Sequence, residues 1–168
     1  MLIILSGLPG TGKTTIAREL ARQIGAVHLR IDSIEQALKD SGKVSGAMDD
    51  AGYRAAYAVA EDNLRLGRTV IADSVNPIRV TRYAWVSVAQ RVGVKAVEVE
   101  LKCSDSDEHR RRVEERIEDI PGLRLPTWTD VSSRHYEPHD RVLLSLDTAG
   151  RSIEECVAAI RRAAETLP

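Results

Sequence analysis

The chain has 168 residues, 43% apolar and 29% charged, and its 24 Lys and Arg nearly cancel 25 Asp and Glu for a net charge of −1. That length supports one domain with one core, and the composition excludes a disordered chain. The balanced charge gives no support to bulk attraction to nucleic acid or an anionic membrane.

Leu2–Leu5 is a short apolar run, too short for a membrane span or signal peptide, and reads as a strand buried on both faces. A helix follows from about Lys13, with Ile16, Leu20 and Ile24 on one face, and Gly25 stops it. Val27 to Ile31 is a second strand, and Ser33 with Gln36 has the form of a capping box for the next helix. The stretch 42–52 reads as a loop, then a helix spans about Tyr53 to Leu66. Thr69 to Ala72 is the third strand. Asn76-Pro77 predicts a helix start, with Asn76 as cap, for a helix running through Arg91. Val94 to Leu101 is a fourth strand and Asp105 to Ile117 a strongly charged helix. Pro121, Gly122 and Pro126 bracket a non-helical excursion, and Thr127 caps a short helix to Tyr136. A fifth strand covers 142–146, and Ser152 with Glu155 opens a last helix. Strands separated by helices imply parallel pairing, so the expected fold is a three-layer α/β/α sandwich on a five-stranded parallel sheet, a single domain over 1–168. Ligands in such folds sit at the carboxyl ends of the strands.

Gly7-Leu8-Pro9-Gly10-Thr11-Gly12-Lys13-Thr14 fits GxxxxGK[ST] and lies between a strand and a helix. Phosphate oxygens need converging backbone N–H donors, and glycines permit that approach. Lys13 reaches terminal phosphates, the Thr14 hydroxyl suits Mg²⁺, and Thr15 continues the phosphate-facing turn at a helix N-terminus. This is the signature of a nucleotide site. The chain has no NKxD motif for guanine and is short for an AAA+ module with a helical lid domain, which leaves the small kinases.

Val70-Ile71-Ala72-Asp73 ends an apolar strand in a carboxylate, the Walker B form, and Asp73 joins Thr14 as a candidate Mg²⁺ ligand. Arg30-Ile31-Asp32 closes the second strand. Asp32 either accepts the proton of a substrate hydroxyl or caps the following helix, and Arg30 is placed to orient substrate. Asn76 either touches substrate or only caps. Arg79 and Arg82, three apart on one helix face, either bind a substrate anion or sit in solvent. Arg112 and Arg116, four apart, either close over the phosphates from a lid-like segment at about 110–126 or form a solvated, ion-paired face; Arg111 and Arg124 are alternates. His28, His135 and His139 have no metal-ligand spacing and stay unassigned. The two cysteines, Cys103 and Cys156, form no CxxC pair, which fits reduced thiols in a cytoplasmic protein.

With these residues in place, the chain resembles the small P-loop phosphotransferases that include the bacteriophage polynucleotide 5′-kinase, chloramphenicol phosphotransferase and the zeta-toxin kinases. The likeness rests on the glycine-rich motif, Arg30-x-Asp32, Ile71-Ala72-Asp73-Ser74 leading to Asn76-Pro77 and Trp85, the Arg112/Arg116 spacing, and Leu125-Pro126 leading to Asp130-Val131 and Tyr136. The resemblance implies ATP and Mg²⁺, Asp32 as general base and Arg112 and Arg116 as lid arginines. The expected activity is transfer of the ATP γ-phosphate to a hydroxyl of a small molecule or a nucleic-acid 5′ end. The competing expectation is a switch that binds or hydrolyses ATP with no phosphoryl acceptor.

Overall fold

The computed structural model describes residues 1–42, 50–141 and 144–166. Five parallel strands, β1 (Leu2–Ser6), β2 (Val27–Arg30), β3 (Val70–Asp73), β4 (Ala96–Lys102) and β5 (Leu144–Asp147), form one sheet in the order β2-β3-β1-β4-β5. The helices are α1 (Lys13–Ile24), α2 (Ile31–Asp40), α3 (Ala51–Arg65), α4 (Arg79–Val92), α5 (Ser106–Glu114), α6 (Trp128–Ser132) and α7 (Ile153–Thr166). The expected α/β/α sandwich is what the chain forms. The first residues of the predicted fifth strand, and most of the predicted 42–52 loop, lie outside the described residues.

Strand β1 has no solvent face because two cores meet across it. Ile3 and Leu5 pack with Ile16 and Leu20 of α1 and Val157 and Ile160 of α7. Leu2 and Ile4 pack with Ala56, Ala60 and Leu64 of α3 and Trp85 and Val88 of α4. Each such aliphatic side chain contributes roughly 1.5–3 kcal/mol on full burial, which is why an unalternating apolar run marks the central strand. Strand β4 is different. Val97, Val99 and Leu101 enter one core, whereas Glu98 and Glu100 are buried on the other face, against Arg141 Nε at 3.2 Å and Lys102 Nζ at 2.8 Å.

Several boundaries differ from the expectation. Helix α2 begins at Ile31 directly after the strand, so Ser33 lies inside it and caps nothing; neither does Asp32, which occupies the first turn. A short strand feeding straight into a helix leaves no room for a capping box. Helix α4 starts at Arg79 with Ile78, not Asn76, at its N-cap position. The cap of α6 forms as expected, with Thr127 and Asp130 bonded reciprocally, and so does that of α7, where Ser152 N donates to Glu155 Oε2 and Glu155 N to Ser152 Oγ. Among the described residues no helix is long and apolar enough to cross a membrane.

Candidate active site

The sheet order places the carboxyl ends of β1, β3 and β2 side by side, with Leu5 level with Asp73 and Asp73 level with Arg30. A cleft of about 1460 Å³ opens above them. The glycine-rich loop, from Gly7 to Thr15, wraps its floor. Two of its glycines have no substitute. Gly7 sits at φ +143° with the Leu101 carbonyl oxygen 2.3 Å from where a Cβ would stand. A Cβ on Gly10 (φ +84°) would lie 2.5 Å from Val113 Cγ2. Gly12 precedes α1 at φ +88°. The turn is braced internally: Thr11 Oγ1 and Lys13 Nζ both donate to the Leu8 carbonyl at 2.9 Å. From behind, His109 Nε2 meets the Pro9 carbonyl at 2.8 Å while its ring packs edge-on to Trp128.

Lys13 is buried, and burial lowers its ammonium to about 8, against the opposing pull of Asp73 and Asp32; Arg116 and Arg134 add to the lowering. Asp73 is 3% exposed. Burial alone would raise its carboxyl, but hydrogen bonds from His28 and Thr14 and the charge of Lys13 overcome it and hold the group below its ordinary value. His28 Nε2 stands 3.1 Å from Asp73 Oδ2. The Thr14 hydroxyl and Asp73 carboxylate are therefore adjacent hard oxygen donors. Among the described residues no cluster of three or more His, Cys, Asp or Glu side chains suits a metal. Mg²⁺ carried on nucleotide phosphates asks only for one or two protein oxygens, and this pair fits that requirement.

Asp32 faces the cleft from the first turn of α2, its carboxylate 3.6 Å from Arg30 Nη2 and 3.8 Å from Arg116 Nη2. Arg30 is 5% exposed and grips Asp119, with Nη1 to Oδ2 at 2.7 Å and Nη2 to Oδ1 at 3.0 Å. Arg18 of α1 donates to the same carboxylate at 2.7 Å. The segment after α5 is thus clasped onto α1 and β2. The two predicted lid arginines diverge. Arg116 points at Asp32, whereas Arg112 pairs with Glu108 and donates to Thr148 Oγ1 at 2.9 Å and to the Thr148 carbonyl at 3.0 Å. Thr148 is itself buried, its hydroxyl donating to the Thr11 carbonyl at 3.2 Å, so Arg112 is tied to the phosphate loop through it.

Two predicted substrate residues lie elsewhere. Asn76 is fully buried; its Nδ2 donates to the Leu5 carbonyl and Ser6 Oγ, both at 3.2 Å, and its backbone takes φ +48°. It ties the loop after β3 to the end of β1 and neither lines the cleft nor caps α4. Arg79 is outside the cleft, two-thirds exposed and 3.4 Å from Asp140. Its neighbour Arg82 is buried and spent on the carbonyls of Asn76, Pro77, Glu137 and Pro138. Conversely His28 and His109 went unassigned in the sequence, and Asp119 was expected only as an ion-pair partner for the arginines of the charged helix, whereas it pairs with Arg30 and Arg18. Only His28 carried a usable signal, since alternation along β2 puts it on the same face as Arg30.

Residues 2–122 match the AAA domain family AAA_33. The chain is similar to the "Probable adenylyl-sulfate kinase" of Aeropyrum pernix, 26% identical over 163 residues that cover 94% of this chain and 88% of that protein. It is also similar to the shikimate kinase of Corynebacterium glutamicum, 25% identical over 177 residues, covering 95% and 94%. The solved APS kinase of Mycobacterium tuberculosis in complex with AMPPNP and APS shares the fold, with a TM-score of 0.72 at 22% identity over 98% of this chain and 97% of that one. The chain belongs to the AAA_33 family.

Proposed function

We propose that the protein transfers the γ-phosphate of ATP to a hydroxyl group of a small molecule. The observation that carries this reading is the position of Asp32: an open carboxylate in the same cleft as the buried Lys13, flanked by two guanidinium groups within 4 Å. A base there can orient an acceptor hydroxyl and take its proton as the oxygen attacks.

The amides of Gly7 to Thr15 and the Lys13 ammonium hold the triphosphate. Thr14 and Asp73 hold Mg²⁺, which when bound neutralises phosphate charge. Asp73 stays anionic because His28 and Lys13 face it. Arg116 stabilises charge on the transferring group, and Arg112 positions the phosphate loop through Thr148. Arg30 acts at one remove, flanking Asp32 and fixing Asp119, so that the segment 110–126 serves as a lid over the reaction. The relatives' names, adenylyl-sulfate kinase and shikimate kinase, support a small-molecule acceptor. The resemblance to polynucleotide 5′-kinase remains a narrower reading, which steeply salt-dependent binding of 5′-hydroxyl oligonucleotides would favour.

Asp32→Asn should lower phosphoryl transfer at least a hundredfold and leave ATP affinity nearly unchanged, measured by coupled turnover and calorimetry. Unchanged turnover in that variant defeats the assignment. ATP hydrolysis that no hydroxyl compound accelerates would favour the switch instead.

A further inference from the structure

Strand β2 lies at the edge of the sheet beside β3, and His28 and Arg30 leave it on one face. Arg30 is level with Asp73, yet its guanidinium is taken up by Asp119 at 2.7 and 3.0 Å and by Asp32 at 3.6 Å. His28 is level with Ile71 and reaches forward to the end of β3, where its Nε2 stands 3.1 Å from Asp73 Oδ2. Among the described residues no other basic side chain brings a nitrogen within 4 Å of that carboxylate. The contact is sheltered, with the Asp73 side chain 3% exposed and that of His28 19%. His28 is not among the residues that line the cleft.

A carboxylate turns easily about its last side-chain bond, so its hydrogen-bond donors decide which way its oxygens face. Asp73 has two such donors, the His28 ring on Oδ2 and the Thr14 hydroxyl. With His28 removed, Thr14 and the charge of Lys13 are what remain to orient it. Lys13 Nζ donates to the Leu8 carbonyl at 2.9 Å, and an ammonium has two further N–H groups. A carboxylate released from His28 is drawn toward them, and an oxygen paired with an ammonium is a poorer ligand for a hard cation. Donors that orient a metal-binding carboxylate typically change metal affinity 10- to 100-fold.

We propose that His28 is a positioning residue for Mg²⁺: by holding Asp73 Oδ2 it keeps the carboxylate directed to the ion beside Thr14 and away from Lys13. This rests on the phosphotransfer reading and adds to it a residue that acts on the metal only through Asp73.

The test measures AMPPNP affinity by calorimetry in Mg²⁺ and again with EDTA in its place. The ratio of the two affinities is the contribution of the metal, and no turnover is needed. His28→Leu should lower that ratio about tenfold and leave the affinity in EDTA unchanged, a split that a general loss of structure would not produce. His28→Gln, whose amide offers an N–H near the position of Nε2, should restore most of the ratio. Asp73→Asn should also lower the ratio, and His28→Leu added to it should lower it little further, because the two residues act as one unit. The proposal is overturned if His28→Leu keeps the parent ratio, if His28→Gln is as impaired as His28→Leu, or if the parent ratio itself is near one. AMPPNP that binds the parent in neither condition sinks the phosphotransfer reading and this inference with it. AMPPNP that binds with a metal-dependent ratio indifferent to His28 overturns this inference alone.

Discussion

Replacing Asp119 by alanine removes one carboxylate and strands a buried guanidinium. Asp119 accepts from Arg30 at 2.7 and 3.0 Å and from Arg18 at 2.7 Å. Arg30 is 5% exposed, its Nε has no partner, and its remaining carboxylate, Asp32, stands 3.6 Å away. Hydrogen bonds to charged groups contribute about 1.5–3 kcal/mol when removal leaves the partner buried. The Arg18 arm is 55% exposed and adds less than about 1 kcal/mol. Asp119 is itself 33% exposed, which screens both arms, so the net loss is about 2–3 kcal/mol. For a domain of this length that lowers Tm by roughly 4–12 °C. The loss also depends on pH. The hydrogen bonds from Arg30, opposed by partial burial and helped by Arg18, hold the Asp119 carboxyl well below the usual carboxylate range. Its folded pKa lies under its unfolded one, so the stabilisation is complete above the ordinary Asp value and disappears as acid titrates the folded group. Urea unfolding of parent and Asp119→Ala should therefore differ by the full amount at pH 7 and converge as the pH falls below about 4. A Tm within about 1 °C of the parent at pH 7 would refute the clasp. So would a gap that persists undiminished in acid.

Two further outcomes follow from the phosphate loop. Burial puts the Lys13 ammonium at about 8, and a bound triphosphate favours its charged form, so nucleotide binding at pH 8 should take up roughly half a proton per site and about a tenth at pH 7. Calorimetry in buffers of different ionisation enthalpy measures this, and an equal uptake by Lys13→Met would assign the proton elsewhere. Gly10→Ala places a methyl 2.5 Å from Val113 Cγ2 and 3.1 Å from His109 Cδ2 at a positive φ. It should cost about 2–4 kcal/mol in urea unfolding, and displacement of α5 should weaken nucleotide binding; a variant as stable as the parent would show that α5 yields freely.

Where the sequence reading went astray, side chains had more than one possible partner. Asn76 carried a valid cap signal because Asn-Pro favours a helix start, yet its amide is drawn to the Leu5 carbonyl and Ser6 Oγ, partners some seventy residues away. Arg79 and Arg82 read as one polar face. In the folded chain Arg82 is buried as a four-carbonyl brace and Arg79 turns to Asp140. The spacing of Arg112 and Arg116 put both on one helix face, but α5 ends at Glu114, so Arg112 lies in the helix and turns to Thr148 while Arg116 lies beyond its end and turns to Asp32. The helix of 53–66, by contrast, was legible almost to its ends because its apolar positions face one core.

The chain's local pattern was sufficient for the layer architecture, the phosphate loop and the Asp73 strand end, since each depends on contiguous residues: burial periodicity, glycines where a Cβ cannot fit, and an apolar run closing in a carboxylate. Tertiary structure alone decided the strand order, and with it which carboxyl ends adjoin. That order set Asp32 between Arg30 and Arg116, His28 against Asp73 and Asp119 across Arg30 and Arg18. Apart from Arg30 beside Asp32, those meetings join residues tens of positions apart, and such pairing depends on where the backbones arrive, which no spacing along the chain encodes.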